Sequence, residues 1–105
     1  MTSLFIDVFG DYPLIRVLDF FLEEYLFDYS KTQVAEFSGV SFNTLEQFWD
    51  RLIKLEIIIK TRKIGNSDMY KLNMENLVVQ KLMEIDRNLM SESAQKIQIP
   101  VKGRR

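Results

Sequence analysis

The spacing of apolar side chains along the chain predicts four helices. Residues 14–27 are apolar around most of a helical turn, with their few polar side chains on one narrow face. A pattern of this kind indicates a helix that is buried on more than one side. Residues 42–55 and 74–90 repeat apolar side chains every three or four positions, which is the period of an amphipathic helix. A shorter helix is expected over residues 31–37.

Polar residues that cap helices stand where these helices should begin. Ser30 and Ser41 directly precede the second and third predicted helices, and Asn73 precedes the last one. Side chains of this type accept hydrogen bonds from the first free N–H groups of a helix. Asp11 is placed to cap the first helix, with Pro13 in its first turn.

The rest of the chain predicts strands, a turn and a tail. Residues 57–62 and 69–72 have strand-like composition and flank a turn over residues 64–68, so a two-stranded hairpin is expected. Residues 4–9 are apolar with β-branched members, and they are expected to form a short strand or an extended arm. The helical period fades after the last helix, and residues 91–105 are expected to form a basic, flexible tail.

Composition excludes several kinds of chemistry. The chain has 105 residues of which 47% are hydrophobic, enough for one domain with one core. It contains no cysteine and no histidine, and so lacks thiolate and imidazole metal ligands and the commonest general base. No apolar run is long enough to cross a membrane. We therefore expect a cytoplasmic protein that is not an enzyme, binds no cofactor or metal and does not associate with membranes.

Charge is distributed unevenly along the chain, although the net charge is only −1. Residues 1–50 carry nine acidic and two basic side chains, whereas residues 51–71 carry six basic and two acidic ones. A nearly neutral protein can therefore present a basic face locally, and such a face favours binding to nucleic acid.

A motif shortly before the basic segment indicates which structure it belongs to. Residues 32–45 read Thr-Gln-Val-Ala-Glu-Phe-Ser-Gly-Val-Ser-Phe-Asn-Thr-Leu. Ala35 is small where two helices would cross, Gly39 suits the turn between them, and Val40 and Leu45 would fill the space beneath. The motif resembles the helix-turn-helix of bacterial and archaeal transcription regulators.

Two flanking segments extend the resemblance. Residues 51–58 resemble the exit from a recognition helix into a wing, and depart from the pattern at Glu56, where the family often has glycine. Residues 9–18 are similar to the entry to the first helix of archaeal winged-helix repressors. Residues 9–90 thus resemble MarR-like and archaeal winged-helix DNA-binding proteins, which suggests an archaeal or viral source.

The resemblance implies a mainly α fold with a small β-hairpin. Residues 1–90 would form one winged helix-turn-helix domain, made of a three-helix core, a two-stranded wing and an extra C-terminal helix. Its implied function is sequence-specific binding of double-stranded DNA as a dimeric transcriptional regulator. The recognition helix 42–55 would enter the major groove, and the basic wing 60–71 would lie on the backbone or in the minor groove.

Particular side chains fit these roles. Asn43 and Gln47 lie one turn apart, and either amide suits bidentate recognition of adenine, whereas Arg51 and Lys54 suit phosphates. Thr44 suits a phosphate or a thymine methyl group. The expected DNA-binding residues are Phe42, Asn43, Thr44, Gln47, Arg51, Lys54, Lys60, Arg62, Lys63, Asn66, Ser67 and Lys71.

Two acidic side chains on the same face oppose this interpretation. Glu46 and Asp50 would repel phosphate unless Glu46 accepts a bond from a cytosine amine or Asp50 pairs with Lys54. A winged-helix protein-interaction module in a larger complex and a sequence-neutral architectural DNA binder therefore stay open. The tail over residues 91–105 either clamps DNA phosphates or only improves solubility. No small-molecule effector is indicated.

Apolar residues in excess of a small core indicate an interface. The helix over residues 74–90 repeats them in steps of three and four, like a coiled-coil seam. This seam either joins two copies or closes the core of a monomer, and the surplus favours a homodimer. The expected dimer residues are Phe5, Val8, Phe21, Val78, Leu82, Ile85 and Leu89.

Overall fold

The computed structural model describes the backbone of residues 3–98 and the side chains of residues 3–92. Over that range the chain forms five helices and a three-stranded antiparallel sheet. In chain order the elements are α1 (Leu4–Phe9), α2 (Pro13–Glu23), β1 (Tyr29–Ser30), α3 (Lys31–Ser38), α4 (Phe42–Lys54), β2 (Ile58–Ile64), β3 (Ser67–Leu72) and α5 (Leu77–Gln98). The mainly helical fold with a small hairpin is as the sequence predicts.

The first element is a helix, so the expected strand or extended arm over residues 4–9 is wrong. Ser3 caps α1 by accepting the Ile6 N–H at 3.1 Å, and its hydroxyl donates to Asp19 of α2 at 2.8 Å. Phe5 is 1% exposed and lies in the core. The burial of this ring and the serine cap outweigh the strand preference of the segment, which is weak in so short a run.

Helix α2 begins at Pro13 as expected but ends earlier than predicted. Asp11 does not cap it, because its carboxylate instead pairs with Arg16. The helix stops at Glu23 rather than at residue 27, since Leu26 and Phe27 are exposed and no burial holds them in a helix. The chain must also become extended before it reaches β1, which pairs with β3.

The two helices of the motif form as predicted. Ser30 and Gln33 make a reciprocal capping box at the start of α3. Gly39 ends α3 in the left-handed conformation with φ 72°, and Ser41 caps α4 by accepting the Thr44 N–H at 3.1 Å. Each signal acts within a few residues along the chain, so a single sequence is enough to find it.

Helix α4 ends in a left-handed residue that is not glycine. Glu56 has φ 59°. Its N–H donates to the Ile53 carbonyl and that of Ile57 donates to the Leu52 carbonyl, each at 2.9 Å, which is the bonding of a Schellman motif. The Glu56 carbonyl in turn accepts from Asn73 at 2.9 Å. The glycine of the winged-helix pattern and this glutamate therefore occupy a position that requires positive φ.

The hairpin is longer than predicted and gains a third strand. β2 and β3 extend to a two-residue turn at Gly65, whose φ of 60° suits such a turn. The short strand β1 pairs with the free edge of β3, giving the order β1-β3-β2. The β2–β3 register shifts between Lys60 and Arg62, which leaves Thr61 as a bulge. A two-residue strand has no sequence pattern by which to predict it.

The last helix starts and ends later than residues 74–90. The side chain of Asn76, rather than that of Asn73, caps it by accepting the Val78 N–H at 2.8 Å. Asn76 also donates to the carbonyls of Leu55 and Glu56 at the end of α4. α5 continues to Gln98, and the rest of the expected tail, residues 99–105, lies outside the described residues.

The core lies around α2, which contacts the other four helices and β3. Trp49 of α4 is 2% exposed and packs edge-on against Tyr70 with ring centroids 5.1 Å apart. Trp49 is therefore a core residue and not a surface stacking platform. Its burial fixes α4 by one face and leaves the opposite face of α4 at the surface.

Candidate nucleic-acid interface

Helix α4 carries six of the twelve side chains predicted to contact DNA, and five of these six are exposed. The helix buries one stripe in the core, made of Leu45, Phe48, Trp49 and Leu52. The opposite stripe is exposed and includes Asn43, Gln47, Arg51 and Lys54. Neither Asn43 nor Gln47 makes a side-chain hydrogen bond to any other described residue, so both amides are available to a ligand.

Thr44 and Phe42 have structural roles at the start of α4. Thr44 is half-buried, and its hydroxyl accepts from Ser41 at 2.8 Å within the helix cap. Phe42 is 43% exposed, and the Lys31 ammonium lies 5.2 Å from its ring centroid. Phe42 is therefore a partly covered platform at the end of the helix that is expected to face bases.

An ion pair neutralises one of the two acids on this face. Glu46 accepts from the Lys31 ammonium of α3 at 2.7 Å. The sequence does not reveal Lys31 as a site residue, because the two side chains are fifteen positions apart and no local spacing relates them. Asp50 makes no ion pair with Lys54 within residues 3–92, so its charge on this face is not offset in that way.

The basic side chains of the wing are paired with carboxylates. Lys60 and Lys63 both lie near Asp68, at 3.3 and 3.4 Å. Arg62 pairs with Asp28 at 2.8 Å. Three of the six cations in residues 51–71 are thus paired, with two carboxylates between them. Among the described ion pairs none involves the three remaining predicted cations, which are Arg51, Lys54 and Lys71.

A polar groove separates the wing tip from the first turns of α3 and α4. Its volume is about 240 Å³, and Asn66 and Ser67 at the tip form one of its walls. The hydroxyls of Ser30, Thr32 and Tyr70 contribute donors, Lys31 contributes a positive charge, and Asp68 contributes a negative one. The fold thus brings two predicted tip residues beside the helix starts, where N–H groups and positive charge suit a phosphate backbone.

Comparison with solved structures identifies the architecture. The antimony-specific transcriptional repressor AntR matches with a TM-score of 0.59 and 20% sequence identity, over 88% of this chain and 78% of that chain. The chain has a winged helix-turn-helix fold. The DNA-binding protein Sso10a-2 from Sulfolobus solfataricus matches with a TM-score of 0.48 and 13% identity, over 84% of this chain and 96% of that one. No protein-family model matches the sequence, and no curated protein does.

The winged helix leaves only part of the expected dimer surface exposed. Phe5 and Phe21 are 1% and 0% exposed within the chain's own core, so their assignment to an interface is wrong. The chain does have an apolar surplus, but a count of apolar residues does not show which side chains the fold covers. Val8 and Val78 are each 58% exposed and Ile85 is 39% exposed.

Helix α5 uses two different faces. Val79 and Met83 are 0% and 4% exposed and close the core of the winged helix. Val78 precedes Val79 by one residue, which turns it about 100° around the helix axis. Val78 and Ile85 therefore lie to one side of the core contact. Of the other predicted interface residues on α5, Leu82 is half-buried and packs against the core, and Leu89 is half-buried.

Acidic side chains of α2 and α5 repel one another. Burial raises the pKa of Asp19, Glu23 and Asp86 above the ordinary carboxyl value, and repulsion from Asp19 adds to the shift of the other two. No group of acidic side chains in the described residues is arranged to hold a metal ion. None of the helices described is both long and apolar enough to span a membrane.

Proposed function

We propose that the protein is a regulator that binds double-stranded DNA in a sequence-specific manner, as a dimer, with α4 in the major groove. The observation that carries the proposal is the exposed stripe of α4. It combines the free amides of Asn43 and Gln47 with Arg51 and Lys54, which have no carboxylate partner among the described ion pairs. The winged-helix fold shared with the repressor AntR supports the same proposal.

Base recognition is assigned to the first two turns of α4. Asn and Gln side chains hydrogen-bond adenine through its N6 and N7 edge, and an α-helix fits the major groove. Asn43 and Gln47 are four residues apart and so lie on one face. Arg51 and Lys54 follow in the later turns, where cations bind phosphates and fix the position of the helix.

The wing and the groove beside it are assigned to the DNA backbone. Asn66 and Ser67 are exposed at the tip, and Lys71 lies on the central strand. A phosphate between the tip and the start of α3 would be within reach of neutral donors as well as Lys31. This arrangement would bind the DNA backbone without sequence preference, in addition to the base recognition by α4.

A second copy is the proposed partner of the exposed seam on α5. Val78 and Ile85 present apolar surface that the core does not use, and Leu82 and Leu89 flank them. Two symmetry-related domains would then present two copies of α4. Half-sites should be separated by about 10 base pairs or a multiple of that spacing.

Fluorescence anisotropy with labelled duplexes tests the DNA assignment. Replacing Arg51 and Lys54 by alanine should weaken binding to every duplex and flatten the salt dependence by about 0.9 for each phosphate that is no longer neutralised. Replacing Asn43 and Gln47 should instead reduce discrimination between sequences. Lys81→Ala, which removes an exposed lysine of α5, serves as the control. Unchanged affinity and salt slope in the Arg51 and Lys54 variant would exclude α4 as the binding helix.

Sedimentation velocity tests the dimer separately. Ile85→Asp should convert the dimer to a monomer, because the substitution places a charge in the apolar seam. Met90→Asp is the matched control, since Met90 is 59% exposed on α5 but lies outside the seam. If the wild-type chain is monomeric, or if both variants dissociate the dimer equally, the seam on α5 is not the dimer interface.

The paired wing favours one rival, a winged-helix module that binds another protein. Arg62 is matched by Asp28, and Lys60 and Lys63 share the carboxylate of Asp68, so these three cations keep only one net positive charge for DNA phosphates. A titration against random duplex at low salt separates the two. Absence of any retention at high micromolar protein would favour the rival.

A further inference from the structure

Asp28 and Arg62 form the most complete ion pair on the surface of the wing. The Arg62 Nε–H donates to Asp28 Oδ2 at 2.8 Å, and Nη2 donates to Oδ1 at 3.0 Å. Thr61 donates its hydroxyl to the same Oδ2 atom. The Asp28 side chain is only 13% exposed, whereas that of Arg62 is 62% exposed. The Asp28 carboxylate is therefore largely buried and accepts three hydrogen bonds, whereas most of the Arg62 side chain is open to solvent.

The β-bulge explains how two consecutive side chains reach one carboxylate. Successive residues of a regular strand point to opposite faces of the sheet. Thr61 has no partner on β3, because the register moves from Lys60 opposite Tyr70 to Arg62 opposite Met69. A bulge of this kind bends the strand and redirects a side chain. Here it turns Arg62 toward the segment before β1 and ties β2 to the far edge of the sheet.

The pair differs from the other ion pair of the wing. Lys60 and Lys63 share the single carboxylate of Asp68, so one positive charge remains in excess there. Arg62 and Asp28 are matched one to one. The hydrogen bonds from Arg62 and Thr61 hold the pKa of Asp28 at about 2. The carboxylate is consequently ionised at any pH at which the protein would bind DNA.

We propose that Asp28 is an autoinhibitory carboxylate that competes with DNA phosphate for the guanidinium of Arg62. The proposal rests on the DNA-binding function proposed above. A phosphate and a carboxylate both prefer the paired N–H donors of arginine, so only one of them can occupy the Nε–Nη2 edge. Arg62 must release Asp28 before this edge can bind a backbone phosphate, and the ionised Asp28 opposes that exchange.

The first test removes the charge of Asp28 while keeping its shape. Asp28→Asn should raise affinity for duplex DNA at least threefold near 0.1 M salt. It should steepen the salt dependence by about 0.9, the value for one additional neutralised phosphate. The gain should vanish in the double variant Asp28→Asn/Arg62→Gln, since no guanidinium is then released. Asp50→Asn is the matched control, because it removes an unpaired acid of α4 and its effect should not depend on Arg62.

A gain in Asp28→Asn that persists without Arg62 would overturn the inference, because it would be a general effect of charge. Unchanged or reduced affinity would overturn it too, since Asp28 would then position Arg62 rather than withhold it. Asp28→Ser gives an independent reading should the Asn variant fold poorly. Serine also removes the carboxylate, so affinity should rise again, and a gain of equal size in Asp28→Ser/Arg62→Gln would contradict competition.

A measurement without DNA separates this inference from the proposed function. The NMR signal of the Arg62 Nε–H should be sharp in the wild type and lose protection from exchange in Asp28→Asn. If the signal responds in this way and no variant binds duplex at low salt, the proposed function fails, and the competition with it. If duplexes bind but the signal is unprotected in the wild type, only the competition is refuted.

Discussion

The clearest quantitative prediction concerns Glu56, which terminates α4 in the left-handed conformation. Replacing Glu56 by glycine should stabilise the protein. Its φ of 59° is unfavourable for any residue with a Cβ atom. The glutamate side chain is exposed and makes no hydrogen bond or ion pair to a described residue, so its removal sacrifices no interaction. The bonds that the backbone of Glu56 makes to Ile53, Asn73 and Asn76 do not require the side chain.

The size of the effect follows from two opposing contributions. The left-handed conformation costs an L-residue about 1–2 kcal/mol, and glycine avoids this cost. Glycine also makes the unfolded chain more flexible, which removes about 0.5–1 kcal/mol of the gain. The net stabilisation should be about 0.5–1 kcal/mol. For a domain of this size that corresponds to a rise in Tm of about 2–8 °C.

Two further variants isolate the backbone effect in thermal and urea unfolding. Glu56→Ala removes the same charge from the C-terminal end of the helix but keeps the Cβ atom, so it should gain clearly less than Glu56→Gly. Gly39→Ala makes the reverse change at the end of α3, where φ is 72°, and should lose about 0.5–1 kcal/mol by the same two contributions. The loss is increased by the cost of moving the Arg16 guanidinium, which lies 2.9 Å from the position of the added Cβ atom. Equal gains in the alanine and glycine variants at position 56 would show that charge, and not backbone conformation, controls this turn.

Three other predictions concern packing and pH. Val79→Ala should lower the free energy of unfolding by about 2 kcal/mol, whereas Val78→Ala should change it by less than about 0.5 kcal/mol in a dilute, monomeric sample, as urea titration would show. Asp19→Asn should raise Tm at pH 7, because the raised pKa of Asp19 makes its ionised form unfavourable in the folded state. That difference should shrink as the pH falls through the raised pKa toward 3.8, and a constant difference in calorimetry would contradict it. Asp28→Asn should lower Tm at pH 7. Since the folded pKa of Asp28 is about 2, its contribution should be lost between pH 3.8 and 2, and a difference that persists at pH 2 would have another cause.

The parts of the fold that the sequence predicts are those with local signals. The capping serines Ser30 and Ser41 and the turn at Gly39 locate α3 and α4 almost to the residue, because each acts on N–H or carbonyl groups nearby. Helix α1 also has a capping serine, Ser3, but this signal competes with the composition of the residues that follow it. Its six residues have strand-like propensity, and the interactions that decide in favour of a helix are the burial of Phe5 and the bond from Ser3 to Asp19.

The same distinction explains the errors in the dimer surface. Periodicity places Val78 and Ile85 on one stripe of α5, and the structure leaves that stripe exposed. Periodicity does not reveal that Phe21 lies at the centre of its own core, since a helix that is apolar on most sides looks the same whether one chain or two cover it. Only the packing of α2 against its neighbours shows whether Phe21 is covered by its own chain or by a second copy.

Charge at the candidate site is the property that sequence order predicts least well. The basic run in residues 51–71 is real, but folding brings Asp28 to Arg62 across thirty-four positions and Glu46 to Lys31 across fifteen. Each pairing changes what the linear sequence suggests about DNA binding. Because Glu46 is paired with Lys31, it repels phosphate less than its position on α4 suggests. Because Arg62 is paired with Asp28, it attracts phosphate less than its position in the basic run suggests. The proposed affinity for DNA then depends on Arg51 and Lys54. These two cations belong to the same helix as Asn43 and Gln47. Phosphate binding and base recognition should therefore weaken together when α4 is displaced.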